Sequence, residues 1–327
     1  MRIEFINQQN YHYLDDVKAL IEKCDKEFIT ALSSRNSTTQ QSLYVPTNQG
    51  SNCDAYFKEI ASQYILIAIG DNKELVGFMS FKKNYSCEHI SRKTYNNLYV
   101  TTVIVNNNLR KHGTAAKFYD TLKEYYPMYN IFTRTWSTNL NHISILNKQG
   151  FTEHCRIKDD RGEGIDTVYF HYQPKIKLIK ANYANASTMW QLQVKGFTPL
   201  FEKYHDYDTN PACESLKKVT AKINKPSTHY YFICIDGEIV GGINVGDHHD
   251  GSPKKIAPLF ILPEYQNKGY AQRVIKLVEA MHGSDNWFLA TIKQEEANCH
   301  LYEKMGYKLT GEETIINDKM TIVGYRK

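Results

Sequence analysis

Apolar and polar positions follow a pattern that occurs twice along the chain. In each half, a region rich in strand-forming residues is divided by a turn that contains Gly and Asp, at 64–81 and at 230–245. Such turns join the strands of β-hairpins. A further apolar run follows each hairpin, at 98–105 and at 255–262. The pattern therefore predicts three consecutive strands in each half.

A helix is predicted directly after each third strand. Behind Gly269, apolar residues recur at the three- and four-residue spacing of one helix face, at Ala271, Val274, Ile275 and Val278. A similar stripe follows Gly113, at Ala115, Ala116, Tyr119 and Leu122. Each stripe indicates an amphipathic helix that buries one face.

The remainder of each half predicts a strand, a second helix and two closing strands. The second helices end at Gly150 and Gly306, because glycine readily adopts the left-handed conformation that closes a helix. The closing strands are predicted at 151–158, 166–173, 307–316 and 319–326. Helices that cross over a sheet indicate an α/β fold, here a mixed, mostly antiparallel sheet flanked by helices.

Matched landmarks indicate that the two halves are copies of one domain. Gly113 and Gly269 lie 156 residues apart, and Gly150 and Gly306 have the same separation of 156. A repeat of this length is a whole domain, since solenoid repeats are far shorter. The predicted boundary gives an N-terminal domain at 1–173 and a C-terminal domain at 174–327.

Composition narrows the class of partners. The net charge of +5 is not concentrated in a basic block, which argues against nucleic acid as a partner. The chain has no run of 18 apolar residues and does not begin with a signal-peptide pattern, so we expect no membrane partner. Its seven cysteines form no C-x-x-C pair, which favours a reducing, cytoplasmic location.

A Q-x-x-G-x-A motif stands between the third strand and the helix of the second copy, where Gln266, Gly269 and Ala271 are its fixed residues. Backbone N–H groups at a helix N-terminus are unpaired and lie at the positive end of the helix dipole, which suits a phosphate group. Glycine also lets the backbone approach such an anion closely. The first copy has residues 110–115 at the same place.

This motif and the later sequence L-Y-E-K-M-G-Y at 301–307 resemble the GNAT superfamily of N-acetyltransferases, in two tandem copies over nearly the whole chain. The resemblance implies acetyl-CoA as cosubstrate, no metal, and direct transfer of acetyl to a primary amine of a small molecule or a protein. It implies that Tyr302 is the general acid for the departing thiolate. It also implies cofactor contacts at Phe260, Ile261, Leu262, Gln266, Asn267, Lys268, Gly269, Tyr270 and Ala271.

Both copies depart from the family pattern. Glu295 stands where many members have an asparagine, so Asn298 is the alternative cofactor contact. In the first copy the asparagine is present, but Leu146 replaces the tyrosine. We therefore expect the first copy to be degenerate. It has either a supporting structural role or a second CoA site, formed by Val105, Arg110, His112, Gly113, Ala115 and Asn139.

The segment 201–210, placed between the first two helices of the second copy, is the candidate acceptor site. It contains Glu202, Tyr204, Asp206 and Asp208. Acidic groups suit a cationic amine, although an ordinary solvated loop is an equal alternative. The Asp-His-His-Asp sequence at 247–250 is not expected to bind zinc, because adjacent residues rarely converge on one ion. The alternative to an enzyme is a non-catalytic acyl-CoA-binding regulatory or scaffold protein.

Overall fold

A computed structural model describes residues 1–43, 52–91 and 96–327 of the chain. Within these residues the chain divides into two units, Met1–Pro174 and Lys175–Lys327. Each unit contains a seven-stranded mixed sheet with helices packed against it. The predicted fold class, two tandem α/β domains, is confirmed.

The first unit begins with a strand and two helices and then follows the predicted order. Its helices are α1 (Tyr13–Cys24), α2 (Asp54–Ala61), α3 (Thr114–Tyr125) and α4 (Leu140–Lys148). Its strands are β1 (Arg2–Phe5), β2 (Tyr64–Ile69), β3 (Leu75–Lys83), β4 (Asn97–Val105), β5 (Asn130–Trp136), β6 (Thr152–Ile157) and β7 (Thr167–Tyr172). They are arranged as β1-β2-β3-β4-β5-β7-β6, and β4 and β5 are the parallel neighbours.

The second unit repeats this topology. Its helices are α5 (Ala186–Tyr204), α6 (Leu216–Asn224), α7 (Tyr270–His282) and α8 (Glu296–Lys304). Its strands are β8 (Ile176–Lys180), β9 (Thr228–Ile235), β10 (Glu238–Gly246), β11 (Lys254–Ile261), β12 (Trp287–Ile292), β13 (Lys308–Asn317) and β14 (Met320–Arg326). The order is β8-β9-β10-β11-β12-β14-β13, with β11 and β12 as the parallel neighbours.

Alternation along the strands distributes each core over both faces of the sheet. In the first unit, Ile65 and Ile67 pack with α1 and α2, whereas Leu66 and Ala68 between them pack with α3 and α4. Successive side chains of a strand point to opposite faces, so a strand covered on both sides is apolar throughout. This explains why the central strands read as continuous apolar runs.

The helix stripe predicted after Gly269 lies on the buried face of α7. Val274, Ile275 and Val278 are fully buried there. On the opposite face of the second sheet, Met189 of α5 packs against Phe260 of β11. Strand β11, which precedes the Q-x-x-G-x-A motif, and helix α7, which follows it, are therefore packed into the core on separate faces of the sheet. This packing fixes the position of the motif between them.

Candidate functional site

The loop 266–271, here called the C-terminal glycine loop, forms a concave set of backbone donors. Asn267 and Gly269 both have left-handed backbones, with φ of 62° and 72°. A side chain added at Gly269 would meet no atom within 4 Å, so the space above it is open. Within the described chain, no hydrogen bond uses the N–H groups of residues 267–272. Such a nest at a helix N-terminus suits an anion.

The Gln266 side chain ties this loop to the preceding strand. Its amide nitrogen donates a 2.8 Å hydrogen bond to the carbonyl of Ile261, the last residue of β11. In the first unit, Arg110 makes the equivalent bond, from Nε to the carbonyl of Val105 at 2.9 Å. In both units this side chain therefore ties the glycine loop to the end of the preceding strand, while cofactor contact by Gln266 and Arg110 stays a prediction.

The strand before the loop has a free backbone edge. Pairing between β11 and β12 covers only Lys254–Ile256 against Trp287–Leu289, after which the strands separate. Phe260 lies in the separated part, and its side chain is buried against α5 as is that of Leu262. Since these side chains point into the core, the backbone of 257–261 is what faces the split. An extended ligand can pair with such an edge.

A β-bulge lies at the point where the strands separate. Asn244 of β10 stands opposite two residues of β11, Ala257 and Pro258. Its side-chain nitrogen donates a 2.8 Å bond to the Ala257 carbonyl, and its buried side-chain oxygen has no partner among the described residues. This bulge was not predicted, although a proline inside a strand is a signal for a bulge.

The first unit has the same bulge at the same place. The pairing of β3 and β4 shifts between Ser80 and Phe81, so that Thr101 is the extra residue. The Ser80 and Thr101 hydroxyls are 2.8 Å apart and hydrogen-bonded. In both units, therefore, a polar side chain of the neighbouring strand stabilises the extra residue.

Tyr302 lies on α8 and is nearly buried, with 8% of its surface exposed. Burial raises the pKa of its phenol to about 12, so the hydroxyl keeps its proton at neutral pH. Its ring lies 6.2 Å from that of Tyr307 and 6.0 Å from that of Tyr325. No described residue forms a hydrogen bond with its hydroxyl, which leaves the proton available to a ligand. Asn298, one helical turn earlier, is partly exposed.

Leu146 and Asn139 show what the first unit has at these positions. Leu146 is fully buried in the core. The side-chain oxygen of Asn139 caps α4 by accepting a 3.3 Å bond from the His142 N–H. Asn139 was predicted as a possible cofactor contact; the structure uses its side chain to start a helix.

The N-terminal glycine loop, residues 110–115, has the same backbone as its counterpart. Lys111 and Gly113 are left-handed, with φ of 69° and 78°, and His112 is exposed beside them. The side of this loop is occupied by a carboxylate, however, because Glu27 lies 2.7 Å from an Arg110 nitrogen. Although partial burial opposes ionisation, hydrogen bonds from Asn107 and Arg110 lower the pKa of the Glu27 carboxyl.

The predicted acceptor segment is not a single loop, because it includes the end of a helix. Helix α5 continues to Tyr204, where His205 closes it in a left-handed conformation, so Glu202 and Tyr204 lie on the last helical turn. The prediction that residues 201–204 lie between the first two helices is wrong, since they form the end of α5. Tyr204 is buried, and its hydroxyl donates a 2.7 Å bond to Glu295.

Asp206 has a structural role. It is 2% exposed, and its carboxylate accepts bonds from the backbone N–H groups of Asp208 and Thr209 and from the Thr209 hydroxyl. Its oxygens are therefore already used to shape the turn. Of the predicted acceptor residues, Glu202 and Asp208 remain exposed with free carboxylates.

The sequence 247–250 also folds around its own contacts. The Asp247 carboxylate is largely buried and accepts a 3.1 Å bond from the His249 N–H. Within residues 1–43, 52–91 and 96–327, no three His, Cys, Asp or Glu side chains are grouped as metal ligands. In the same residues, no helix has both the length and the apolar character needed to span a membrane.

Comparison with known proteins agrees with this geometry. The model of the acetyltransferase (GNAT) family matches residues 34–151 and 187–307, and the chain belongs to this family. The predicted family and its two tandem copies are confirmed. A search of curated proteins gave no match.

Solved structures similar to this chain include three acetyltransferases. The microcin C7 self-immunity acetyltransferase, in complex with acetyl-CoA and AMP, is 15% identical, with 46% of this chain and 91% of that chain covered and a TM-score of 0.38. Spermidine N-acetyltransferase from Vibrio cholerae, in complex with CoA and spermine, is 16% identical, with 46% of this chain and 94% of that chain covered and a TM-score of 0.38. PaiA N-acetyltransferase from Thermoplasma acidophilum, in complex with coenzyme A, is 16% identical, with 46% of this chain and 99% of that chain covered and a TM-score of 0.36.

Proposed function

We propose that the second unit is an acyl-CoA-dependent N-acetyltransferase that transfers acetyl directly to a primary amine. The observation that carries this proposal is the Tyr302 phenol, which is protonated, buried and without a hydrogen-bond partner among the described residues. Packing alone does not require a polar atom at this position, because the first unit fills it with Leu146. The family of the chain makes acetyl-CoA the cosubstrate to consider first.

The residues of the second unit fit this cosubstrate. The free N–H groups of 267–272 and the positive end of α7 would hold the pyrophosphate, with the exposed Lys268 beside them. The free backbone edge of 257–261 would pair with the pantetheine arm. Acetyl-CoA supplies the thioester and its thiol leaving group.

The proton transfers follow from the acid and the acceptor. The Tyr302 hydroxyl donates its proton to the departing sulfur, which avoids the release of a free thiolate. The incoming amine must be neutral to attack, and β11 carries no carboxylate near the split. We propose that bulk water takes the amine proton, while the exposed Glu202 and Asp208 attract a cationic acceptor, which is a small-molecule amine or a protein amino group.

We further propose that the first unit does not catalyse transfer. Leu146 cannot donate a proton, and the Glu27 carboxylate beside the N-terminal glycine loop opposes a second anion. This unit has either a supporting structural role or CoA binding without turnover. If the second unit also lacks turnover, the whole chain is an acyl-CoA-binding regulatory or scaffold protein.

The test compares two tyrosine-to-phenylalanine variants. Tyr302→Phe should lower kcat by about 10²-fold while acetyl-CoA binding is retained, because only the proton donor is lost. Tyr307→Phe is the matched control, since Tyr307 is a neighbouring buried phenol whose hydroxyl is bonded to Glu279. Steady-state kinetics on a panel of amines gives kcat, and calorimetry gives the affinity. Equal turnover of Tyr302→Phe and wild type would disprove the role of Tyr302.

A further inference from the structure

Three arginines of the first unit are buried close together. Arg35 is 6% exposed and Arg161 is 7% exposed, and Arg134 of β5 is partly buried beside them. Arg35 donates to the Thr30 carbonyl, and Arg161 donates to the adjacent Ile29 carbonyl. Arg134 donates to the Thr38 carbonyl at 3.4 Å. We call these three residues the arginine cluster.

The arginine cluster has no paired carboxylate. The arginines that form ion pairs in the described chain are others, namely Arg2, Arg110 and Arg156. Asp160 and the Tyr99 phenol oppose the lowering of the Arg161 pKa, and the two Asp160 oxygens already accept bonds from the Leu43 N–H and the Thr167 hydroxyl. Residues 44–51 and 92–95, outside the described chain, include no Asp or Glu.

The surroundings oppose the positive charge of two of the three arginines. Burial, followed by the cations of Arg35 and Arg134, lowers the pKa of Arg161 to about 9. Burial, together with the Arg134 cation, also lowers the pKa of Arg35. Although burial opposes its charge, the pKa of Arg134 is raised, because the phenols of Tyr99 and Tyr169 outweigh that burial. Buried charges are normally paired, because desolvation without a counter-charge is costly. A bound anion would supply the missing counter-charge.

The guanidinium groups are held in place by neutral partners. Arg35 lies over the Phe28 ring at 5.6 Å, and Arg161 lies over the Trp136 ring at 5.6 Å. The Nε of Arg161 donates to the Thr167 hydroxyl, but its Nη2 has no hydrogen bond with any described residue. Fixed guanidinium groups with unused donors are suited to bind carboxylate or phosphate oxygens.

One arginine of the cluster lies where two strands of the sheet separate. Arg134 follows Thr133, the last residue of β5 that pairs with β4, so it lies where these strands begin to separate. Arg161 bonds to Ile29 in the segment after α1, and Asn317 of the second unit bonds through Nδ2 to the carbonyl of Tyr204, the last residue of α5, at 2.9 Å. At the separation of 156 residues, Arg134 corresponds to Ala290 and Arg161 to Asn317, so the second unit lacks both charges.

We propose that the arginine cluster is a binding site of the first unit for a small organic anion that carries a carboxylate or phosphate group. One oxyanion group bridges at least two of the three guanidinium groups. The site does not depend on the proposed transferase activity of the second unit. It gives the first unit a binding function that survives the loss of its catalytic tyrosine.

The experiment titrates the full chain with inorganic phosphate and, separately, with citrate, each by calorimetry at constant ionic strength. Both titrations use the Gly113→Glu and Gly269→Glu double variant, so that the two glycine loops cannot be the phosphate site. Saturable binding of one equivalent is expected, and the probe that binds more tightly identifies phosphate or carboxylate as the preferred group. Absence of saturable binding for both probes overturns the proposal.

Substitutions then locate the bound anion. Arg134→Gln in the same background should weaken binding by about 10-fold or more, as for the loss of a charge-assisted hydrogen bond. Arg134→Lys, which keeps the charge, should bind the anion more tightly than Arg134→Gln. This result would show that the weaker binding of Arg134→Gln does not come from a folding defect. Arg156→Gln is the matched control, since Arg156 pairs with Glu153 and Asp166 at the surface. Unchanged affinity in Arg134→Gln, or equal loss in Arg156→Gln, contradicts the assignment.

Discussion

The two units differ most where the second helix after each glycine loop meets the sheet. There the second unit has Tyr302 and the first has Leu146, although α8 and α4 are equivalent helices of the same length. The units also differ near the split strands, where the first has the arginine cluster and the second has neutral residues. Elsewhere the two units share their topology, the left-handed glycine of the glycine loop, the hydrogen bond from this loop to the preceding strand, and the β-bulge.

This comparison separates what the fold requires from what the chemistry requires. The features shared by both units are backbone features, or side chains bonded to the backbone, such as Arg110 and Gln266. The features that differ are single side chains, to which we assign proposed roles in catalysis and anion binding. A duplicated domain can therefore keep its fold while one copy exchanges catalysis for another binding function.

The largest expected effect tests whether only one glycine loop binds the cofactor. Gly269→Glu should reduce acetyl-CoA affinity by at least about 100-fold, because the carboxylate would stand where the pyrophosphate binds and repel it. Gly113→Glu should change it little. Calorimetry with acetyl-CoA measures both. Gly311→Glu is the control for backbone strain, because Gly311 also has a positive φ, 85°, and open space around it.

The outcome of that titration decides between the two roles left for the first unit. One equivalent, lost only in Gly269→Glu, means that the first unit has no CoA site. Two equivalents, one lost in each variant, would show that both loops bind cofactor and that the difference between the units is confined to catalysis.

A smaller effect is expected at the bulges. Asn244→Leu leaves the Ala257 carbonyl without its side-chain donor, which should cost about 1–3 kcal/mol of stability and raise the KM for acetyl-CoA several-fold. Ser80→Ala removes the corresponding contact of the first unit and should leave KM unchanged. Thermal unfolding and kinetics measure the two effects. If Asn244→Leu and Ser80→Ala changed the KM equally, the bulge of the second unit would have no special role in the acetyl-CoA site.

The smallest expected effect is a pH dependence common to both units. Burial lowers the pKa of His142 and of His282 to about 4, and each ring is hydrogen-bonded to a tyrosine hydroxyl. The unfolded chain takes up these protons below about pH 6.5 and the folded chain does not, so stability falls as the pH drops from 6.5 towards 4. By about pH 5 the loss should be about 2 kcal/mol per histidine.

Thermal unfolding at neutral and mildly acidic pH measures this loss. His142→Gln should reduce the pH dependence of the first unit's transition, and His282→Gln that of the second. If one variant alone changes the pH dependence, the two buried histidines are not equivalent.

The fold could be predicted largely from the sequence because its signals are local. Turn residues divide the hairpins, the spacing of Val274, Ile275 and Val278 marks a helix face, and Gly150 and Gly306 close their helices. The end of α5 was misjudged, because the helix continues to Tyr204, whose buried hydroxyl bonds to the distant Glu295. The preference of individual residues for helix or loop does not take such tertiary contacts into account.

The candidate site was only partly predictable for the same reason. The glycine loop is a continuous motif, so the sequence indicates it directly. Asn244 and Ala257 meet only through the register of two strands, which a residue-by-residue pattern does not contain. The arginine cluster brings together residues 35, 134 and 161, and no sequence spacing signals that they share one place.

The split between β11 and β12 has a consequence for solubility as well as for binding. Unpaired strand edges at the rim of a sheet invite pairing with other chains and aggregation. Here the free edge of residues 257–261 is recessed between two strands of the same sheet, so a foreign sheet cannot approach it. The same separation of β11 and β12 therefore leaves a backbone edge available to a ligand without placing that edge at the rim of the sheet.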